Sequence, residues 1–149
     1  MTIVDHATTI ARDVRADLLR ESATPRDLTG QCGLAAMLVA TALDKPQVLR
    51  TGFYMKRTTF LGKRGRYPHR HAWCLVGTMI VDATATQFGR NNRAVHVVRY
   101  DEDGRYDEDG RYIETARGAN AIDDIMTNWK GRKLPAYVQL ARDLRRSLR

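Results

Sequence analysis

Apolar positions recur along the chain with two different periods, and the switches between them lay out the elements. Over residues 3–21, Ile3, Ala7, Ile10, Ala11, Val14, Leu18 and Leu19 fall at helical spacing with Arg and Asp between them, which predicts an amphipathic helix. Ser22 to Gly30 breaks that pattern with Pro25, Asp27 and Gly30 and reads as a connecting loop. From Cys32 to Leu43 nearly every residue is apolar, and a helix greasy on all sides belongs in the middle of a domain. Asp44-Lys45-Pro46 ends it. Gln47 to Met55 then predicts a strand, and Lys56 to Arg70 a basic loop with Gly62, Gly65 and Pro68.

His71 to Asp82 reads as two short strands around a tight turn between Val76 and Thr78, with glycine at the reversal. The turn residues are either Val76 and Gly77 or Gly77 and Thr78. Either choice pairs odd positions of the first arm with even positions of the second. His71 and Asp82 therefore share one face, directly opposite or one diagonal apart, and alternation sends Cys74 to the other face. Gly89 to Arg93 follows as a turn, Ala94 to Tyr100 as a strand, and Arg111 to Thr115 as a returning strand. Asn120 is expected to cap a helix carrying Ile122, Ile125, Met126 and Trp129, with Asp123 and Asp124 in its favourable first turn. Gly131 and Pro135 interrupt it. A last helix carries Tyr137, Val138, Leu140, Ala141, Leu144 and Leu148, with Arg142, Arg145, Arg146 and Arg149 at its polar positions. Arginines near a helix C-terminus complement its dipole, and the same face could also meet nucleic acid or a membrane.

At 149 residues, 43% hydrophobic and 28% charged, the chain reads as one soluble globular domain over 1–149. No apolar run approaches the roughly 18 residues of a membrane span, and no charged segment followed by an apolar one opens the chain, so the cytoplasm is the expected compartment. Two cysteines fit a reducing environment. Residues 100–112 hold a local charge of −4, which leaves +12 on the rest of a chain whose total is +8. Such a basic surface can attract an acidic protein, nucleic acid or an anionic membrane, or simply be solvated. The acidic stretch contains the hexapeptide Tyr-Asp-Glu-Asp-Gly-Arg twice, at 100–105 and 106–111, and each copy offers an Asp-Gly hairpin turn. Set on a calcium loop, its first ligand falls on Arg99 or Arg105 and its last on Gly110 or Ala116, so calcium is rejected. His69 and His71 with Cys74 match no zinc spacing, and no metal or cofactor is expected.

The candidate chemistry lies in three separated residues. Cys32 opens the buried helix just after Gln31, where unpaired N–H groups lower a thiol's pKa. An imidazole at His71 would lower it further, and a carboxylate at Asp82 would orient that ring. Against this stands the fact that free cysteine is among the most buried residue types. Cys74 reads as core. His69 is a rival base near the loop after Pro68, and His6 and His96 show no carboxylate partner at short range.

A Cys opening a buried helix, then His71-Ala72-Trp73 on one strand and Asp82 on the next, resembles the transglutaminase-like branch of the papain-like cysteine enzymes. Asp82-Ala-Thr84-Ala-Thr-Gln87-Phe88 is similar to the Asp-x-Thr-x-x-Gln-Phe ending of bacterial members. The resemblance covers residues 28–90. It implies an α+β fold in which a central buried helix carrying the Cys packs on an antiparallel sheet carrying His and Asp, flanked by N- and C-terminal helices. It also implies Cys32 as nucleophile, His71 as general base and acid, and Asp82 as orienting carboxylate. Papain-like proteases carry a glutamine several residues before the cysteine for the oxyanion, where this chain has Arg26. Gln31, Gln87 and Trp73 are the remaining candidates for oxyanion or substrate contacts.

The expected activity is attack on amide bonds, as a cysteine protease, amidase, glutamine deamidase or transglutaminase-like transferase. The expected substrate is a protein or peptide of acidic character. The alternative is a non-catalytic basic module that binds nucleic acid or an acidic protein. An effector delivered to another cell would use the same chemistry.

Overall fold

The computed structural model describes residues 2–20, 31–60, 63–84, 95–100 and 110–148. Helix α1 (Ile3–Arg20) buries Ala7, Ala11, Arg15 and Leu18. Its start is closed by a reciprocal pair, with the Asp5 N–H donating to Thr2 Oγ1 at 3.1 Å and the Thr2 N–H donating to Asp5 Oδ2 at 3.2 Å. Helix α2 (Cys32–Ala42) buries Cys32, Gly33, Ala35, Ala36, Met37, Val39 and Ala40, and these mostly small side chains let its neighbours approach closely. Asp44 follows at φ 52°, and a short 3-10 turn at Pro46–Val48 leads into the sheet.

Strands β1 (Leu49–Phe60), β2 (Lys63–Val76), β3 (Met79–Asp82), β4 (His96–Arg99) and β5 (Gly110–Arg117) form one sheet in the order β4-β3-β2-β1-β5, each neighbouring pair antiparallel. The expected basic loop over Lys56–Arg70 is instead the outer part of a long hairpin, in which Lys56 pairs with Tyr67 and Phe60 with Lys63. Glycines and a proline mark loops when read locally, but a paired backbone satisfies its own groups. Pro68 lies opposite Met55 of β1, outside the Cys74–Val76 stretch that pairs with β3, so among the described residues it has a strand partner on one side alone. At Gly52 the β1–β5 register shifts, and a Cβ there would lie 1.9 Å from the Ile113 carbonyl oxygen. Only glycine lets β5 come that near.

After β5, Gly118 at φ 56° turns the chain into α3 (Ala119–Asn128). Asn120 is therefore not the cap, and Asp123 and Asp124 fall beyond the first turn. The left-handed backbone, which suits glycine, decided the boundary over the side-chain preference at Asn120. A 3-10 turn at Lys130–Lys133 precedes α4 (Pro135–Ser147), with proline at its start.

The core has two parts. On one sheet face Leu49, Ala72, Cys74, Val76 and Val81 pack with the four helices. On the other, Tyr54, Trp73, Ile80 and Tyr112 form a small aromatic cluster. The sheet curls about that cluster, because Tyr112 on edge strand β5 hydrogen-bonds both Asp82 on β3 and His96 on the opposite edge, β4. The protein is thus α+β, a curled antiparallel sheet with helices on its convex side. Among the described residues no helix is long and apolar enough to cross a membrane. The loop at Ser22–Gly30, the turn at Gly89–Arg93, Arg26, Gln87 and most of the tandem hexapeptide lie outside the described residues.

Candidate active site

Local chain geometry brings three distant residues together. The β2–β3 turn is Gly77–Thr78, with Gly77 at φ 63°, and it pairs Val76 with Met79 and Cys74 with Val81. Of the two registers open to the sequence this is the one that sets His71 one diagonal from Asp82, on the aromatic face. His71 Nε2 lies 2.6 Å from Asp82 Oδ2. His71 is 0% and Asp82 1% exposed, so the pair is sealed from solvent.

Asp82 accepts on both oxygens. Oδ1 takes the Thr84 N–H at 2.9 Å and the Thr84 hydroxyl at 3.3 Å, while Oδ2 takes the Tyr112 hydroxyl at 2.6 Å beside His71. Arg15 of α1 donates to the Ala83 carbonyl at 3.3 Å and places its charge near the same carboxylate. With Asp82 on Nε2, the ring nitrogen left for the Cys32 thiol is Nδ1, and the thiol and His71 are hydrogen-bonded. The sulfur also accepts the Trp129 indole N–H at 3.1 Å and a backbone hydrogen bond from Ala72.

The electrostatics follow from these contacts. Burial pushes the Cys32 thiol up, but the His71 charge and the hydrogen bonds from His71, Trp129 and Ala72 outweigh it and hold the thiol below its ordinary value. Burial pulls His71 down, yet Asp82 and Cys32 together raise it to about 10. Burial likewise opposes the charge on Asp82, and His71, Tyr112 and Thr84 overcome that and keep it below the ordinary carboxylate range. A thiol shifted down beside an imidazole shifted up is the arrangement that favours a thiolate–imidazolium pair. Cys74 is its opposite. It donates to the Ala36 carbonyl at 3.4 Å, and burial, with Asp82 adding, pushes it up to about 12. Tyr137 meets the start of α2 from α4, its oxygen accepting the Leu34 N–H at 3.2 Å.

Trp129 was legible only as an apolar position of a helix. In the structure it stands just past α3 in extended conformation, φ −79° and ψ 140°, which turns the indole back onto the thiol. Arg70 covers it from outside, its guanidinium 5.9 Å from the indole and 5.5 Å from the Phe53 ring, and paired with Asp124 at 3.2 Å. Gly33 leaves the room. A Cβ there would lie 2.8 Å from Trp129 Cδ1 and 2.9 Å from Nε1. Gly33→Ala is therefore expected to push the indole off the sulfur and destabilise the protein by about 1–3 kcal/mol. Denaturant unfolding would measure the cost, and an upward shift of the Cys32 ionisation midpoint would show the lost donor.

The other sequence candidates are placed differently. Trp73, a candidate substrate or oxyanion residue, is 1% exposed and stacks on His71 with ring centroids 5.9 Å apart, so it packs the imidazole from within. An indole on the inward face of β2 belongs to the aromatic core. Gln31 is half-buried at the N-cap of α2, with no side-chain cap bond. His6 and His69 are exposed. His96 does have a route to the carboxylate, since it pairs with Asp82 across β3–β4 and its Nδ1 lies 3.2 Å from the Tyr112 hydroxyl.

Cys32 is 3% exposed, and the narrow space beside it, lined by Ala35, Ala72, Val81 and Thr84, is too small for a water molecule. A reactant reaches the sulfur only when the covering side chains give way. Among the described residues no group of three or more His, Cys, Asp or Glu is arranged to hold a metal. No family model, curated protein or solved structure matches the chain, so what the site can do must be argued from its own residues.

Proposed function

We propose that the protein is a cysteine-dependent enzyme of papain/transglutaminase-like fold that attacks amide bonds, either a peptide bond or a glutamine side chain. The observation that carries this reading is the continuous array Trp129–Cys32–His71–Asp82, in which each polar atom meets the next at the end of a buried helix. The thiolate adds to the carbonyl carbon, and negative charge moves to the oxygen. The Trp129 indole N–H and the Cys32 backbone N–H are donors near the place where that oxygen would form. The imidazolium gives its proton to the departing nitrogen, the C–N bond breaks, and a thioester remains. His71 then takes a proton from water or an amine, which attacks the thioester and releases the thiol. Asp82 stays ionised and holds the ring.

The substrate class rests on charge. Along the α3–α4 side, Met126, Val138 and Ala141 floor a groove of about 370 Å³ edged by Arg142, Arg145 and Arg146. Arg145 is shared with Asp123 at 2.8 Å. An apolar floor with a cationic edge suits an acidic protein segment better than a bare phosphate backbone. The closed thiol favours a second reading, a basic binding module on the same fold. It expects salt-dependent binding that Cys32→Ala leaves unchanged.

A small activated ester, p-nitrophenyl acetate, tests the first reading without a known substrate. The expected result is a burst of nitrophenolate of one equivalent per chain, with the acetyl group on Cys32 by mass spectrometry. Cys32→Ala abolishes the burst and Cys74→Ala keeps it. A burst that survives Cys32→Ala, or none in the parent, overturns the proposal. With acidic proteins as substrates, ammonia release, new N-termini or amine incorporation then separates deamidation, proteolysis and transamidation.

A further inference from the structure

Asp82 Oδ2 serves two donors at once, His71 Nε2 and the Tyr112 hydroxyl, each at 2.6 Å. The second is not a chance neighbour. Tyr112 is 5% exposed, and its ring is fixed edge-on between Tyr54 and Trp73, at centroid distances of 5.0 and 5.1 Å. Its one hydroxyl proton is committed to the carboxylate, so its oxygen is left to accept from His96 Nδ1 at 3.2 Å. A hydrogen-bonded line therefore runs from β4 through β5 to β3 and on to His71, and it ties both edge strands of the curled sheet to one carboxylate oxygen.

We propose that Tyr112 is a positioning residue which, braced by His96, draws off part of the Asp82 Oδ2 charge and so limits how tightly His71 keeps its proton. The inference rests on the catalytic reading for its purpose. A carboxylate oxygen left to the imidazole alone would hold the imidazolium too well, and an imidazole that is too basic is a poor acid toward a leaving nitrogen. Tyr112 keeps the ring charged enough to support the thiolate and acidic enough to release its proton. Among the described residues, titratable and charged groups that bear on His71 include Cys32 from α2, Tyr54 from β1, Asp82 from β3 and Tyr112 from β5, with Arg15 of α1 acting through Asp82 and His96 of β4 through Tyr112.

The test is a titration of the His71 imidazole by nitrogen-15 NMR, made in a Cys32→Ala background so that no thiolate contributes. Tyr112→Phe keeps the ring and its packing and removes only the hydroxyl. It is expected to raise the His71 midpoint by about 0.5–1 unit, a fraction of what a hydrogen bond to a charged group is worth. His96→Ala is expected to raise it by less, and His96→Asn, which returns an N–H donor near the place of Nδ1, to restore it. A midpoint that stays or falls in Tyr112→Phe overturns the proposal, as a change of packing alone would not give this ordered series. If Tyr112→Phe fails to fold, the His96 pair decides, and equal midpoints in His96→Ala and the background overturn it. Because the thiol is absent, a failed ester burst in the parent chain would sink the enzyme reading without touching this result. An unmoved midpoint beside a normal burst would sink only this inference.

Discussion

Replacing His71 by alanine is expected to raise the pKa of the Cys32 thiol. Burial by itself raises the pKa of this sulfur, and the imidazolium is the largest influence opposing it. With the ring gone, the Trp129 and Ala72 hydrogen bonds remain but no opposite charge does, so the midpoint rises past the ordinary value of about 8.5. The difference in thiolate ultraviolet absorbance between each chain and its Cys32→Ala counterpart reads this without any reagent having to enter the closed site. The expected parent curve shows thiolate at lower pH than the His71→Ala curve. The same substitution is expected to slow acylation by about 10²–10⁴-fold, the usual worth of a positioned acid–base group. Parent acylation rises as Cys32 deprotonates and falls as pH passes through about 10, where His71 gives up the proton the leaving group needs. Cys74, pushed up to about 12, remains silent in both chains until the protein unfolds. An identical thiolate curve in parent and His71→Ala would show that the ring does not charge the sulfur.

How much of this site could be read beforehand follows the distance along the chain over which each contact acts. His71 and Asp82 are eleven residues apart within one hairpin, so the two-residue period alone placed them on one face. The choice between opposite and diagonal depended on which residues formed the turn, and side-chain pattern does not fix that. Trp129 meets Cys32 across 97 residues, and nothing local marks that indole as different from any other apolar helix position. Its one trace was Gly33 beside Cys32, a glycine within a helix that needs a reason. His96 showed no carboxylate partner at short range because its hydrogen-bonded link to Asp82 runs through Tyr112, from the far edge of a sheet whose curl no strand pattern reveals. The fold shows the same division. The buried α2, the flanking α1 and α4 and the β2–β3 hairpin followed from periodicity. The outer half of the β1–β2 hairpin did not, because glycine and proline signal breaks whose meaning depends on what pairs alongside.

The loss of stability is expected to be largest at Asp82. Asp82→Ala leaves the Tyr112 hydroxyl, the Thr84 N–H and hydroxyl and the His71 Nε2 without their acceptor, and removes the charge facing both His71 and Arg15. Breaking one side of a buried ion pair in this way costs about 3–5 kcal/mol. Asp82→Asn keeps the shape and one oxygen, which can still accept from Thr84, and is expected to cost less while no longer holding His71 charged. The pH dependence has a definite sign. The folded pKa of Asp82 lies below its ordinary 3.8, so its contribution is present above that value and lost as pH falls through the folded pKa. His71 is raised from 6.5 to about 10, so its contribution is full below 6.5 and lost as pH rises through about 10. The parent should therefore weaken at both ends of that range, and Asp82→Ala should weaken in the middle and lose most of the dependence on either side. Urea unfolding across pH measures both effects. A cost of under about 1 kcal/mol would mean that the carboxylate is not the hub of this network, because a buried carboxylate with four donors cannot be removed so cheaply.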